Sequence, residues 1–562
     1  MRPNSPSLRR AFKLLDRGRL DEALAEAGEL SSGASARAAQ SIARVCEALT
    51  CEAEGNSTRA SELFEAVFTN EVPLPSVLKA CARYFKRTGR YEQAFQAFAL
   101  LETFDPRLGA EFLEDLPEPE VIRYAPWLAR HCITAHRPKL YHLQPIKATL
   151  LRHLSTDVAA QLLARPLGHS ADWRLRRLPV AGLLDVAREH GLSYHDVIPG
   201  RNVYLQPMKV LGREPAPGRT IVSRTVACAM LADVTVQNKS DVLISEDQAI
   251  FDWQGDEPGR ATLDMNLSPS VIGQADRSRL FAIVSGESRT LPCALSLAGV
   301  HSYCFGDWLW QFLPKLFACL GRPEFAAVPI IVDDQMPPQH FEALAFFAGA
   351  SHEIIRLKSA ERIRVERLWV CSAVAYFPIG WRTDLPTRPD LFGWDPQALA
   401  DLIGKVRDKL PEVSSSGGPR RIYLARRDTQ RRRLVNRRDV EAWAEANGFA
   451  LMYLEEHGFL DQLRLIRGAD VVIGPEGSAL FMCLFARPGQ KIGILDHPFV
   501  DEFEPWLQTF EALGHSAWLL TGKPVGNVPE YKDHTNYTIE PGALDVLCRR
   551  LGVLDTAATG DA

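Results

Sequence analysis

The sequence lacks three features that would place it in a familiar class at once: cysteine pairs spaced Cys-x-x-Cys, long apolar runs and an excess of one charge. Its eleven cysteines are scattered from Cys46 to Cys548, which fits reduced, mostly buried thiols better than a disulfide framework or a zinc site. No stretch approaches about 18 uninterrupted apolar residues, and the first twenty residues carry five arginines without an apolar signal-peptide core. We therefore expect no transmembrane segment, no export signal and a cytoplasmic location.

The charge balance gives no general indication of a partner. The 65 basic side chains nearly cancel the 69 acidic ones, so nucleic-acid binding is not expected. At about 100 to 200 residues per domain, the 562 residues predict three or four domains, each long enough to bury a core.

Three glycine–alanine pairs near the start of the chain indicate helical repeats. Gly18, Gly55 and Gly89 are each followed five residues later by an alanine, and they lie 37 and 34 residues apart. This spacing is close to the 34-residue period of a helix-turn-helix solenoid. We predict tetratricopeptide-like repeats over residues 1–115. They would serve as a docking surface for a protein partner or for self-association, or only as a helical cap over apolar surface.

The rest of the chain predicts a helical connector followed by two α/β blocks. Residues 116–200 show helical spacing, and short β-branched runs begin after Pro217. Strand and helix patterns alternate over residues 201–390 and again over 391–562, which is typical of parallel sheets. Ligands of such sheets bind beyond the carboxyl ends of the strands. The loops expected to carry chemistry in the second block follow Ala425, Leu454, Ile473 and Leu495.

An arginine cluster and a glycine turn fall in these loops. Residues 420–438 hold nine arginines in nineteen positions, and Arg426 and Arg427 stand at the end of a predicted strand, where guanidinium groups can grip phosphate. A solvated surface is the alternative; RNA binding would normally bring more aromatics than Tyr423. Gly474, Gly477 and Ser478 form a strand–turn–helix start that suits an anion, although such a turn can also be purely structural.

A third motif enters an apolar helix in the first α/β block. Asp307 follows Gly306 at the predicted start of that helix. It is either an N-cap, a position that aspartate favours, or a general base at the cleft.

Together these motifs resemble glycosyltransferase family 61, which includes bacterial capsular-polysaccharide transferases and plant xylan-decorating enzymes. The resemblance covers about residues 232–551. It depends on segments that are similar to the family's motifs in order and spacing: Cys304–Lys315, Tyr423–Asp428, Asn436–Val440, Gly448–Phe449, Phe459–Gln462, Ala469–Leu480 and Phe485–Gly489. Where the family usually has histidine, this chain has Asp307 and Glu476; Cys304 and Gln311 replace asparagine and glutamate.

The resemblance implies an α/β fold, a GT-B-like pair of Rossmann-type domains preceded by the all-α helical-repeat domain. It implies an inverting, metal-independent transfer of a sugar from a nucleotide-sugar donor to a polysaccharide or glycan acceptor, with no cofactor. The implied catalytic residues are Asp307, as the base, and Glu476, which would contact a sugar hydroxyl or an arginine. The residues implied in donor binding are Arg426, Arg427, Asn436, Gln462, Gly474, Gly477 and Ser478.

Two alternatives remain open at this stage. A non-catalytic homologue that binds glycan or nucleotide and acts as an assembly or scaffold protein would also explain the two replaced histidines. Another enzyme of the same shape, such as a nucleotide-sugar epimerase, fits the helical repeats and the motifs less well.

Overall fold

A computed structural model gives the fold of the chain as two compact units, residues 1–176 with 281–284 and residues 177–280 with 285–562. The described residues are 10–11, 14–15, 19–28, 33–70, 74–102, 108–134, 146–147, 149–150, 154–155, 158–159, 162, 173–252, 268, 271–276, 279–285, 289–358, 361–374, 395–412, 418–427, 432–499, 505–528 and 534–554.

The described part of the first unit is mainly helical. Its helices are α1 (Leu20–Gly28), α2 (Gly33–Ala53), α3 (Ser57–Asn70), α4 (Pro75–Arg87), α5 (Tyr91–Glu102), α6 (Leu108–Leu113) and α7 (Glu118–Thr134). None of the helices in the described ranges is long and apolar enough to cross a bilayer.

The glycine–alanine pattern marks two helix–turn–helix pairs. Gly55 (φ 81°) lies between α2 and α3, and Gly89 (φ 73°) lies between α4 and α5, so both adopt the left-handed conformation that glycine tolerates. Ala60 and Ala94 are fully buried, which lets the paired helices approach closely. Gly18 lies outside the described residues. The tetratricopeptide resemblance itself stays a prediction.

The segment 116–200, predicted as a helical connector, also contains strands. Helix α7 is followed later in the chain by β1 (Trp173–Gly182), α8 (Leu183–His190) and β2 (Ser193–Ile198). Strand β2 forms because it pairs antiparallel with β6 (Val226–Gln237). This partner is distant in sequence, so the local periodicity gave no sign of the strand, and the expectation of a mainly helical connector did not include it.

The first sheet of the second unit is mixed rather than parallel. Its further strands include β7 (Leu243–Ile244), β8 (Ala249–Phe251), β9 (Val271–Asp276), β11 (Arg289–Leu291), β12 (Ala294–Ser296), β13 (Ile330–Asp333), β14 (Ile354–Leu357) and β15 (Arg362–Cys371). Strand β10 (Arg279–Ser285) contains residues 281–284, which belong to the first unit. The path β14-β13-β12-β15 is parallel, whereas β15, β6, β7 and β8 pair antiparallel. The parallel half was predicted from the βα alternation.

Strand β6 unites two predicted strands, Val226–Ala229 and Val234–Val236. Asp233 interrupts the apolar pattern between them and has φ 51°, a left-handed conformation unusual for a residue other than glycine. Its carboxylate lies 2.8 Å from Arg364 on the neighbouring β15. The polar residue that interrupts the apolar pattern is therefore a local irregularity within one strand.

The helix after β12 positions the Asp307 motif. It consists of α9 (Phe305–Asp307), a π-helical turn (Trp308–Phe312) and α10 (Leu313–Cys319), and it is followed by α11 (Pro338–Ala348). Trp308 and Trp310 are buried in the apolar core that also contains residues of the second sheet. The motif is thus held by packing on its apolar face.

The second sheet is parallel along its main path and supplies the cleft. Its strands are β4 (Val210–Leu211), β16 (Arg421–Leu424), β17 (Ala450–Met452), β18 (Val471–Pro475), β19 (Lys491–Asp496) and β20 (Ser516–Thr521), in the order β17-β16-β18-β19-β20-β4. Chain order reverses between β16 and β18, and such a switch point opens a crevice at the carboxyl ends of the strands. The first of these strands, β4, comes from the block predicted as the first α/β domain.

The remaining elements surround these sheets. They are β3 (Asn202–Leu205), β5 (Arg219–Val222), β21 (Lys523–Val525), β22 (Asn536–Thr538), α12 (Pro396–Gly404), α13 (Arg437–Ala446), α14 (Phe459–Gly468), α15 (Pro505–Ala512) and α16 (Pro541–Arg550). Residues 478–485, predicted as an α-helix, form a 3₁₀-helix instead.

Candidate functional site

A cleft of about 410 Å³ opens where the ends of β16 and β18 meet, at the switch point of the second sheet. Its walls include Arg426 and Arg427 after β16, Gly477 and Ser478 after β18, and Gln462 on α14. Five of the nine residues implied by the family resemblance therefore line one cavity.

Arg426 is fixed against the glycine turn. Its half-buried guanidinium donates from Nη1 to the carbonyl oxygen of Glu476 at 3.1 Å. A β-carbon on Gly477 would lie 3.5 Å from the same Nη1. A guanidinium carries five N–H donors, so this single bond orients Arg426 and leaves it capacity to bind an anion in the cleft.

Arg427 points toward the segment that follows β17. Its side chain is exposed, its Nε lies 3.6 Å from Glu455, and it forms a second ion pair with Glu456. The guanidinium also lies 5.1 Å from the ring centroid of Tyr453. Two carboxylates therefore compete with any anion for this arginine.

Gln462 contributes a buried amide to the cleft. It is 2 % exposed, and its Nε2 donates to the carbonyl oxygens of Leu454 (2.8 Å) and His457 (2.9 Å). Its Oε1 is buried and has no hydrogen-bond partner among the described residues. Buried polar atoms are rarely left in this state, so the free acceptor marks a place where a ligand can donate a hydrogen bond.

Gly474 and Ser478 have packing roles in addition to their place in the turn. A β-carbon at Gly474 would stand 2.8 Å from Leu424 Cβ, so this glycine permits β16 and β18 to pack closely. Ser478 is the first residue of the 3₁₀-helix and Gly477 is its N-cap. The first N–H groups of that helix have no partner within it and can face an anion.

Asn436 lies outside the lining of the cleft. Its Nδ2 donates to the carbonyl oxygen of Ile539 at 2.8 Å, and its Oδ1 accepts from the Ile539 amide at 3.1 Å. The next residue, Arg437, donates to the carbonyl oxygen of Arg426 at 3.2 Å. The segment between β16 and α13, residues 425–435, is called the arginine loop below, and its residues 428–431 are outside the described ranges. Asn436 thus anchors the chain at the end of this loop.

Asp307 lies on the helix start that packs against the glycine turn. Its half-buried Oδ1 accepts a hydrogen bond from Gln311 Nε2 at 2.8 Å. The N-cap of this helix is Cys304, so the alternative of Asp307 as an N-cap was wrong. Phe305, two residues earlier, lines the cleft, whereas Asp307 is not part of its wall. Burial, reinforced by Asp307, raises the pKa of the Cys304 thiol to about 11.

Glu476 is buried and paired. Its carboxylate accepts from Arg432 Nη1, and its amide donates to the carbonyl oxygen of Leu495 at 2.7 Å. The pair cancels the charge of Glu476 beside the cleft and ties the arginine loop to the β18 turn. Glu476 can therefore influence the site by holding the Arg432 side chain in position.

Asp496 is a residue near this pair that the sequence interpretation did not single out. It is 3 % exposed at the end of β19, and burial, followed by the nearby charge of Glu476, raises its pKa well above the usual range. The loop after Leu495 was predicted to carry chemistry. Only the fold, however, brings Asp496 near Glu476 and Arg432.

The arginine cluster continues beyond the cleft. A second recess of about 20 Å³ shares Arg426 and Arg427 with it and is lined further by Arg432, Arg433 and Arg437. The positive charge predicted for residues 420–438 is therefore concentrated at the carboxyl end of β16. Across the described ranges, no group of three His, Cys, Asp or Glu side chains is arranged to hold a metal ion.

The cysteines form no disulfide among the ten whose side chains are described. Three of them nevertheless meet in the core of the first sheet: Cys228 and Cys371 are register partners on β6 and β15, and Cys228 Sγ lies 3.4 Å from Cys319 Sγ. The scattered spacing in sequence did not reveal this cluster.

A cleft at a topological switch point, with an arginine on one wall and a helix start on the other, is the arrangement of an α/β protein that binds phosphate-bearing ligands. Residues 305–493, about a third of the chain, match the family model described as Glycosyltransferase 61. The chain therefore contains a glycosyltransferase 61 domain, its enzyme class is glycosyltransferase, and the predicted family is confirmed over this span. All nine implied site residues fall within it. No curated protein matches the chain significantly.

Proposed function

We propose that this chain transfers a sugar from a nucleotide-sugar donor to a polysaccharide or glycan acceptor, with inversion and without a metal ion. The observation that carries the proposal is the cleft that joins Arg426, Gly477, Ser478 and Gln462 at the ends of β16 and β18. A nucleoside diphosphate presents the negative charge that such a wall favours, and fixed donors acting on the leaving group accelerate transfer.

Each side chain then has a distinct task. Arg426 and the first N–H groups of the 3₁₀-helix hold the leaving diphosphate, and Arg427 joins them after it leaves Glu455 and Glu456. The unpartnered Oε1 of Gln462 accepts a hydrogen bond from the donor. Glu476 keeps Arg432, and with it the arginine loop, in place.

Asp307 is the proposed base for the acceptor hydroxyl. Gln311 donates to its Oδ1, and the carboxylate takes the proton as the hydroxyl oxygen attacks the anomeric carbon. Attack from the face opposite the departing diphosphate inverts the configuration at that carbon. For this step the acceptor must reach the Asp307 side of the helix start.

The same proposal assigns a role to each domain of the chain. We assign residues 201–390 and 391–562 to the acceptor-side and donor-side domains of a GT-B pair, and residues 1–115 to repeats that bind a partner or a second copy. A capsular-type polysaccharide and a cytoplasmic location fit this assignment.

A non-catalytic glycan- or nucleotide-binding role is the second candidate. It is favoured by one observation, that the carboxylates of Asp307 and Glu476 are each already engaged by a neighbouring side chain. Such a protein would bind the donor through the same cleft and would not turn it over.

A thermal-shift screen of nucleoside diphosphates and nucleotide sugars tests the donor site. We expect one nucleoside diphosphate to stabilise the native protein by about 2.7 kcal/mol at a hundred times its Kd. Arg426→Ala should abolish the shift. Arg438→Ala is the matched control, because Arg438 is exposed in the same cluster and lines neither recess. Absence of a shift with every nucleotide would contradict the donor site.

The base is tested separately by turnover. Asp307→Asn should bind the stabilising nucleotide normally and lose most of its transfer rate. A native protein that binds the nucleotide sugar and never releases the free nucleoside diphosphate would favour the non-catalytic role.

A further inference from the structure

A second pocket lies in the second unit, apart from the arginine cleft. It has a volume of about 90 Å³ and is lined by Asp241, His301, Gln311 and Lys315, with Phe251 and Phe312 as apolar walls. Among the residues that the structure describes, none lines both this pocket and the cleft. The proposed donor site therefore does not account for it.

The two carboxylates at this pocket are held differently. Asp252 is neutralised by Arg224 at 2.8 Å and accepts from the Ala373 amide at 2.6 Å. Asp241 accepts from one backbone donor, Val300 N, at 3.2 Å. Burial raises the pKa of Asp241, and the charge of Lys315 opposes that rise. Asp241 can therefore accept further hydrogen bonds from a ligand.

Two nitrogen groups on the other walls, Lys315 Nζ and His301 Nε2, can also form hydrogen bonds with a ligand. Lys315 Nζ lies 5.5 Å from the ring centroid of Phe312, and no described carboxylate is within ion-pair distance of it. The Nε2 of His301 is buried without a hydrogen-bond partner among the described residues. A carboxylate acceptor, an ammonium donor and an imidazole nitrogen thus surround one small space.

Gly299 allows the pocket to have this shape. A β-carbon at this position would stand 2.3 Å from Asp241 Oδ1 and 2.6 Å from Phe312 Cε1. The absence of a side chain lets the carboxylate and the aromatic ring approach each other across the loop after β12.

The charges restrict the class of ligand. An anion would be repelled by Asp241, and a cation by Lys315. A neutral polyol satisfies both, because each hydroxyl donates to a carboxylate and accepts from an ammonium group, while its C–H face packs on Phe312. A space of about 90 Å³ is smaller than a whole sugar residue, so one edge of a pyranose ring can enter and the rest of the ring remains in the open mouth.

We infer that this pocket binds a neutral sugar residue of the acceptor, with Asp241, Lys315 and His301 as the recognising groups. Gln311 connects it to the chemistry, since it lines the pocket and donates to Asp307 at 2.8 Å. The role as an acceptor subsite rests on the proposed glycosyl transfer. Sugar binding by the pocket does not depend on the donor site.

Saturation-transfer NMR with a panel of methyl pyranosides, in the absence of nucleotide, tests this inference on the full chain. At least one of methyl glucoside, galactoside, mannoside or xyloside should bind in the millimolar range. Asp241→Asn and Lys315→Met should each weaken that binding about tenfold, which corresponds to 1.4 kcal/mol. Arg426→Ala should bind the glycoside as the native protein does.

A folding control accompanies these variants. His301→Gln keeps a polar group of similar reach and should weaken binding less than the other two changes. The melting temperature of each variant, with and without the stabilising nucleotide, shows that the chain is folded. No binding of any glycoside by the native protein would overturn the inference, and so would folded Asp241→Asn and Lys315→Met variants that bind the glycoside as tightly as the native protein does. Glycoside binding without any nucleotide binding would leave the inference standing and contradict the proposed donor site instead.

Discussion

Gly306 and Ser478 touch where the two sequence motifs of the site meet. A β-carbon on Gly306 would lie 3.0 Å from Ser478 Oγ and 2.8 Å from Phe481 Cε2. The helix start that carries Asp307 is thereby packed directly on the glycine turn after β18. The proposed base and the proposed diphosphate site are held together by this contact, which leaves no space for a side chain.

Gly306→Ala should destabilise the protein because it overfills this contact. The added methyl group must push away an aromatic ring, which costs about 1 to 3 kcal/mol. Gly404→Ala is the matched control: Gly404 ends α12, and no atom of the described part of the chain lies within 4 Å of the position of its β-carbon. Thermal unfolding should show a lower Tm for the first variant only. Equal melting temperatures would mean that the contact is looser than described.

Glu476→Gln should destabilise the protein and change the titration of Asp496. Removing the charge breaks the ion pair between the buried Glu476 carboxylate and Arg432, and breaking a buried pair costs about 3 to 5 kcal/mol. The pKa of Asp496 should fall toward its usual range, because Glu476 is one of the causes that raise it. Carbon-13 NMR of the aspartate carboxyl groups measures this.

Glu455→Gln provides the comparison for that variant. Glu455 pairs with Arg427 at 3.6 Å on the surface, where an ion pair contributes about 0 to 1 kcal/mol. A loss of stability as large as that of Glu476→Gln would contradict the distinction between a buried and an exposed pair.

Asp333 should make stability fall as pH rises through its pKa. It is fully buried and accepts from Ser302 Oγ, Gly299 N, Lys239 N and Asn238 Nδ2. Burial nevertheless raises its pKa to about 6, above the value in the unfolded chain. The protonated form is therefore favoured by folding, and its contribution is complete below about pH 4 and lost as pH rises through about 6.

The measurement compares the native protein with Asp333→Asn, which does not titrate. Between pH 4 and 7 the free energy of unfolding of the native protein should decline relative to the variant by up to about 3 kcal/mol. Chemical denaturation at several pH values gives this difference. A difference that is constant, or that grows with pH, would show that the four donors outweigh burial.

Arg427→Ala should weaken nucleotide binding less than Arg426→Ala. Arg426 lies on Gly477 and already faces the cleft, whereas Arg427 must leave Glu455 and Glu456 before it can bind an anion. We expect a loss of less than about tenfold for Arg427→Ala and of more than tenfold for Arg426→Ala, since a charge-assisted hydrogen bond contributes about 1.5 to 3 kcal/mol. Isothermal titration with the nucleoside diphosphate measures both. An equal or larger loss for Arg427→Ala would reverse the assignment.

The second sheet could be predicted from the sequence because its signals are local. The strands ending near Ala425 and Ile473 are apolar runs bounded by turns, and the arginines follow the first of them directly. Helix α14 follows the same alternation of strand and helix patterns, and the family resemblance pointed to Gln462 within it. The rule that ligands bind beyond the carboxyl ends of parallel strands then placed Arg426 and Gly477 on one side of the sheet.

What the sequence could not predict depends on contacts between distant segments. Strand β2 exists because it pairs with β6, and β4 joins the second sheet through β20. Asp496 has an unusual environment only because Glu476 lies nearby, and the pocket around Asp241 is built from four separate parts of the chain. Asn436 looked like a ligand-binding residue in its motif, yet both ends of its amide bond to Ile539.

The central claim is that the cleft between β16 and β18 holds the diphosphate of a nucleotide sugar. The most direct measurement is a crystal structure of the full chain with the nucleoside diphosphate that stabilises it. We predict that phosphate oxygens lie within hydrogen-bond distance of the Arg426 guanidinium and of the backbone N–H groups at Ser478 and Ala479, and that Gln462 contacts the same ligand. Phosphates bound elsewhere, with this cleft empty, would contradict it.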